Sequence, residues 1–180
     1  MSLKLKNSVL VIVDVQGKLA TLMHNRDKLY ENLVKITKGC KALDIPILWN
    51  EQLPDKLGET IPELKEILSD QTAMAKKTFS CCGNNEFSEQ LRSLGHSQVL
   101  LVGIETHVCV YQTAVDLVND GYEVHLVTDA VSSRFEDNYK AGVDRIKDSG
   151  AVLTTVEMAL FEMLKVAEGE KFKEIIKIIK

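Results

Sequence analysis

The chain has 180 residues, of which 22 are basic and 26 acidic, for a formal net charge of −4 with no block of like charge. That length fits one domain over residues 1–180, with a core that needs no disulfide or structural metal, and the charge balance gives no reason to expect nucleic acid or an anionic membrane as a partner. The longest wholly apolar run, residues 9–13, is far too short to span a bilayer and is not flanked as a signal peptide would be, so a cytoplasmic protein acting on a small molecule is expected.

In chain order, residues 8–14 read as a strand buried on both faces, 26–43 as a helix and 46–50 as a second strand. The small apolar stretch 72–75 reads as extended and is closed by Lys76 and Lys77, which then point opposite ways, one towards a site and one towards solvent. Helices follow at 86–94, 108–119 and 139–147, interleaved with strands at 98–102, 123–127 and 151–154. The alternation predicts a three-layer α/β/α fold around an open, mainly parallel sheet of about six strands, Rossmann-like, with its chemistry beyond the carboxyl ends of the strands.

Two strand ends carry reactive side chains. Asp14 closes the first strand, where a carboxylate serves either as a catalytic acid or base or as a turn cap. Cys109 follows the turn that begins at Gly103 and lies near a helix start, where free amides and the helix dipole stabilise a thiolate; the alternative is a buried structural cysteine, for which Cys40 is the more natural example. The remaining cysteines, Cys81 and Cys82, form no C-x-x-C pair, so free thiols are expected.

Asp14 after the first strand, Lys76 three residues before Phe79 and Ser80, and Gly103-x-x-Thr106-x-x-Cys109 together resemble the isochorismatase-like cysteine hydrolases. The resemblance runs nearly end to end and is strongest to the subgroup of isochorismatase domain-containing proteins, through Glu51-Gln52-Leu53-Pro54 with Leu57-Gly58, Gly103-Ile104-Glu105, Leu117 with Gly121, and Asp129 to Arg134. It implies a triad of Asp14, Lys76 and Cys109, with Lys76 preferred and Lys77 the fallback. It also implies a cis peptide at Ile104–Glu105 and an oxyanion hole made by the backbone N–H groups of Glu105 and Cys109. Glu105 departs from the small or apolar residue of many members, and its carboxylate is expected to turn from the thiolate or to meet a lysine or arginine.

Metal-binding members carry an Asp-x-His-x-His cluster after the second strand, where this chain has Asn50 to Pro54, so neither a catalytic metal nor another cofactor is expected. His107 reads as a pocket or interface residue, and Thr155, Asp129 and Arg134 as structural, through caps and ion pairs. Gln16, Trp49, Gln52 and Phe79 are the candidate substrate-binding residues. The reaction expected is hydrolysis of an amide-type C–N bond through a thioester on Cys109, by a homo-oligomer. Two rival readings are an interaction protein that keeps the fold but is catalytically silent, resting on the stripe Phe172, Ile175, Ile176 and Ile179, and redox sensing through Cys81 and Cys82.

Overall fold

Runs of β-branched and other apolar residues pair edge to edge into a single six-stranded sheet in a computed structural model that describes residues 2–180. In chain order, β1 (Ser8–Val13) is followed by α1 (Gly17–Thr21) and α2 (Arg26–Ala42), and β2 (Ile47–Gln52) by α3 (Pro54–Leu57) and α4 (Pro62–Ile67). Next come β3 (Met74–Lys76) with α5 (Asn85–Leu94), β4 (Gln98–Ile104) with α6 (Tyr111–Asn119), and β5 (Glu123–Ser132) with α7 (Glu136–Asp148). The chain ends with β6 (Val152–Thr154), α8 (Val156–Leu164) and α9 (Gly169–Ile179).

The strand order is β3-β2-β1-β4-β5-β6 and all of its pairings are parallel. Parallel strands need crossovers that cover both faces, which is why β1 and β4 are buried at every position. On one face Leu10, Ile12, Trp49 and Val102 pack against Leu33 and Ile36 of α2, Leu160 of α8 and Ile175 of α9. On the other, Val9, Val11, Leu48 and Leu101 pack against Phe87 of α5, Leu117 of α6 and Ile146 of α7.

The chain turns one way from β1 to β2 and the other way to β4, so the crevice beyond β1 and β4 is the switch point at which such sheets bind ligands. Gly103 lets these two strands pass there: its φ is +120°, and a Cβ would sit 2.1 Å from the Val13 carbonyl oxygen.

Several boundaries differ from those read in the sequence. β2 runs on to Gln52, and β5 runs on to Ser132 through a register shift opposite Leu101 and Gly103, where Thr128 and Asp129 interrupt the apolar pattern. Helices α1, α3, α4 and α8 were not anticipated; α3 and α4 each open on a proline and are too short for a clear period. Thr155 caps α8 by accepting from Met158 N (3.3 Å), and Asp129 Oδ1 accepts from Val156 N (2.9 Å), in line with their expected structural roles. Part of the terminal stripe is used within the chain: Ile175 is fully buried and Ile179 packs against the core as α9 lies on α2 and α8, whereas Phe172 and Ile176 are half-buried. This takes away part of the support for the interaction-protein reading.

Candidate active site

Alternation in β3 buries Met74 and Lys76 and exposes Ala75, and the next residue, Lys77, is exposed as well. Lys76 crosses beneath β2 to Asp14, which the chain holds just past β1 with φ +50°. Lys76 Nζ donates to Asp14 Oδ2 (2.7 Å), Gln52 Oε1 (2.7 Å), Phe79 O (2.8 Å) and Thr78 O (3.0 Å). The Lys76 and Asp14 side chains are 0% and 3% exposed, so the pair interacts at low dielectric and neither ion has water to fall back on.

Cys109 comes to the same place from β4. The Ile104–Glu105 peptide is cis. A π-helical turn, Thr106–Val110, then precedes α6, so Cys109 lies in this wider turn and not in the first turn of an α-helix beginning at Val108, a correction to the sequence reading. Val108 N–H and Val110 N–H both donate to the Glu105 carbonyl (3.0 and 3.2 Å), with the Cys109 N–H between them. Thr113 Oγ1 donates to Cys109 O (2.7 Å) and accepts from Cys81 N (3.0 Å), which ties the turn to the segment after β3.

The Cys109 thiol is close enough to the Asp14 carboxylate for each to perturb the other, yet Asp14 Oδ1 keeps no partner with full hydrogen-bond geometry. Burial pushes the Cys109 thiol up to about 12; the charge of Asp14 adds to the rise and that of Lys76 opposes it. Burial also raises the Asp14 carboxyl above its ordinary value, partly offset by the charge and hydrogen bond of Lys76. Burial and the neighbouring carboxylate thus both work against the thiolate that a helix N-terminus alone would favour, and the carboxylate beside the thiol is of raised basicity.

Asp14 and Cys109 open on a cavity of about 130 Å³ lined also by Gln16, Leu19, Gln52, Leu57, Phe79, Ile104, Glu105 and Val108. The Gln16 side chain is fully engaged: Nε2 donates to Gln52 O (3.0 Å) and Gly58 O (2.6 Å), and Oε1 accepts from Gln52 N (2.6 Å). It thus clasps the end of β2 and the α3 loop onto β1. The loop sits hard against the chain beside Gln16, because a Cβ on Gly17, at φ +53°, would lie 1.8 Å from the Leu57 carbonyl oxygen. The Glu105 carboxylate accepts from Arg134 N (3.0 Å) and Nε (3.1 Å), the expected contact with an arginine.

Of the substrate-binding candidates, Gln16, Gln52 and Phe79 line the cavity and Trp49 does not, which corrects its assignment. Trp49 packs into the core layer beneath α2, α8 and α9, and its Nε1 donates to Thr60 Oγ1 (2.8 Å). His107 faces Ser133, with Nδ1 2.9 Å from Oγ, and is not part of the cavity wall. The apolar wall of Leu19, Leu57 and Val108 was not foreseen; the only sequence sign of it was Leu57 next to Gly58 in a turn. Among the described residues there is no group of three His, Cys, Asp or Glu placed to hold a metal ion, and no helix is long and apolar enough to cross a membrane.

Comparisons with known proteins bear on the family and the fold. A family model described as the isochorismatase domain matches residues 8–158. Isochorismatase domain-containing protein 2 of Danio rerio is 37% identical, over 98% of this chain and 89% of that protein. The structure of the MAR1 ribonuclease from Caenorhabditis elegans superposes with a TM-score of 0.93 at 35% identity, over 99% of this chain and 92% of the other. An octameric hydrolase of unknown specificity from Escherichia coli shares the fold, with a TM-score of 0.94 at 23% identity over 99% and 89% of the two chains. A site at the switch point of an all-parallel sheet, a family match over most of the chain and relatives matched almost end to end lead to one conclusion: this chain belongs to the isochorismatase family.

Proposed function

We propose that the protein is a cysteine hydrolase that cleaves an amide-type C–N bond in a small molecule, with Cys109 as nucleophile, Asp14 as general base and acid, and Lys76 as the cation that fixes Asp14. The observation that carries this reading is the buried Lys76–Asp14 pair set beside the Cys109 thiol at the wall of an open cavity. A thiol held near 12 is a poor nucleophile at neutral pH unless its proton leaves as the sulfur attacks. A carboxylate of raised basicity next to it is suited to take that proton.

In the proposed sequence the Cys109 S–H proton passes to Asp14 as sulfur bonds to the amide carbon, and the oxyanion is received by the N–H groups of Glu105 and Cys109. Collapse breaks the C–N bond, and Asp14 returns the proton to the leaving nitrogen, which leaves a thioester. Water then loses a proton to Asp14 and attacks; the acid is released and the proton returns to sulfur. Lys76, with four oxygen acceptors around its Nζ, holds Asp14 in place through both halves of the reaction.

The test is mass spectrometry of the protein quenched in acid after exposure to a panel of small amides, with released ammonia measured in parallel. An acyl adduct on the peptide holding Cys109, lost together with ammonia release in Cys109→Ala, is the expected result. Ammonia release that survives Cys109→Ala would sink the mechanism. Ribonuclease activity, for which the nematode relative is named, gains no support from this site, where the ionic groups facing the cavity are carboxylates. The proposal includes assembly into a homo-oligomer, supported by the octameric state of the Escherichia coli hydrolase that shares the fold, and checked by light scattering.

A further inference from the structure

We infer that the Cys109 cavity selects small uncharged acyl groups and refuses acyl groups that carry a carboxylate. This rests on the reading above for the identity of the reacting sulfur, and it names the class of amide that the site admits.

The first support is the sign of the charges that face the cavity. Its ionic lining residues are Asp14 and Glu105, both carboxylates, while their cations Lys76 and Arg134 stand behind them and form no part of the wall. Lys76 Nζ is surrounded by Asp14 Oδ2, Gln52 Oε1 and the carbonyls of Thr78 and Phe79, so it has no N–H left for a substrate anion. Arg134 gives both its backbone N–H and its Nε to Glu105 Oε1.

The second support is the scarcity of spare donors on the polar side chains in the wall. Gln16 spends both amide N–H groups on Gln52 and Gly58, and Gln52 Nε2 gives one of its two to Lys77 O (2.9 Å), which leaves a single side-chain amide N–H uncommitted. The remaining surface is Leu19, Leu57, Phe79, Ile104 and Val108. A substrate carboxylate entering here would lose its water, find one side-chain amide N–H in exchange and face two carboxylates that Lys76 and Arg134 neutralise only from behind. An uncharged acyl group would lose little, since its carbonyl oxygen turns towards the backbone N–H groups and its carbon chain towards the apolar wall.

The third support is size. A dry apolar cavity of about 150 Å³ accommodates benzene, and this one measures about 130 Å³. An acyl chain of a few carbons or a small ring fills it, and little space remains for a hydrated anion.

The experiment compares iodoacetamide with iodoacetate, two reagents of nearly equal size that differ in charge. Each forms one bond from the Cys109 sulfur to carbon and releases iodide, and both consume the same thiolate, so the ratio of their rates cancels the thiol pKa. The rates are read by mass spectrometry on the Cys109 peptide in the folded protein, with the same ratio in urea-unfolded chain as reference. The expected preference for iodoacetamide is about tenfold above the unfolded reference, well below the roughly thousandfold of an unpaired like-charge contact near a protein surface, because Lys76 and Arg134 partly neutralise the two carboxylates. Leu57→Lys, at the exposed lip, should bring the ratio back towards the reference. A folded ratio at or below the unfolded one overturns the inference, and so does a Cys109 that reacts with neither reagent when folded.

A second arm separates this failure from failure of the hydrolase reading. Ammonia release is compared for butyramide and for succinamate, which has the same chain length and a terminal carboxylate. Ammonia from succinamate at the rate of butyramide leaves the hydrolase standing and removes the selectivity. Selective alkylation with ammonia from neither amide upholds the selectivity and removes amide hydrolysis.

Discussion

Gly142 of α7 lies flat against the backbone of His107, so close that a Cβ at residue 142 would stand 2.9 Å from the His107 nitrogen. Helix α7 thereby presses directly on the π-helical turn that presents Cys109. Gly142→Ala is expected to cost about 1–3 kcal/mol through overpacking, since the obstacle is backbone and cannot rotate away. Urea denaturation measures the loss. Alkylation of Cys109 should change in the same variant, and an unchanged rate would mean that the turn is not positioned by α7.

The two neighbouring lysines should behave very differently. Lys76→Met strands a buried Asp14 and is expected to cost about 3–5 kcal/mol, whereas Lys77→Met should stay within about 0.5 kcal/mol. Pairing Lys76→Met with Asp14→Leu removes both ions and should recover part of the loss. Equal effects of the two lysine changes in chemical denaturation would contradict the assignment of the pair.

Asp14→Asn should separate electrostatics from proton transfer. After burial, the charge of Asp14 is the largest cause of the raised Cys109 thiol, and its removal leaves Lys76 unopposed. The thiol should therefore fall from about 12, and alkylation at neutral pH should become faster. Amide turnover should instead fall by about 10²–10⁴, the usual contribution of a general base. Parallel losses in alkylation and turnover would show that Asp14 acts only as scaffolding.

Stability should fall as pH rises above 9. The thiols of Cys40, Cys81, Cys82 and Cys109 are all raised above the ordinary value of 9.0, in each case first by burial. From 9 upward the unfolded chain gives up thiol protons that the folded chain keeps, so unfolding becomes progressively easier. The tyrosines Tyr30, Tyr122 and Tyr139, raised from 10.0, add to the same trend only at higher pH. Each thiol contributes up to about 1.4 kcal/mol per pH unit, so Cys40→Ala should flatten the slope by about that amount even as it lowers stability overall. Urea titrations between pH 8 and about 10 give the slope, and no difference between the two proteins would rule out Cys40 as a contributor.

The sheet could be read from sequence because β1 and β4 are buried on both faces and stand out as unbroken apolar runs. The far half of β5 was hidden because its register shift carries Thr128 and Asp129, which break that signal. Asp14, Lys76 and Cys109 come to one place from three strand ends, and it was the family resemblance carried by their order and spacing, not any one of them, that nominated them. Trp49 was misplaced because it sits three residues short of the end of β2, and Gln52, the last residue of that strand, is the one that lines the cavity. The proton balance between thiol and carboxylate was not legible, because it depends on how deeply both are buried.

The contact of Gly17 with the Leu57 carbonyl joins the outer wall of the cavity to the segment that carries Asp14. Side chains on that wall and its backbone are therefore under unequal constraint. Exchange at residue 57 can retune which molecules enter without disturbing the acid–base machinery, because the Leu57 side chain is 40% exposed. An insertion or deletion in the same loop has no such freedom, since it shifts a carbonyl wedged against the chain three residues beyond Asp14. Divergence in specificity should accordingly proceed here by point substitution at fixed loop length.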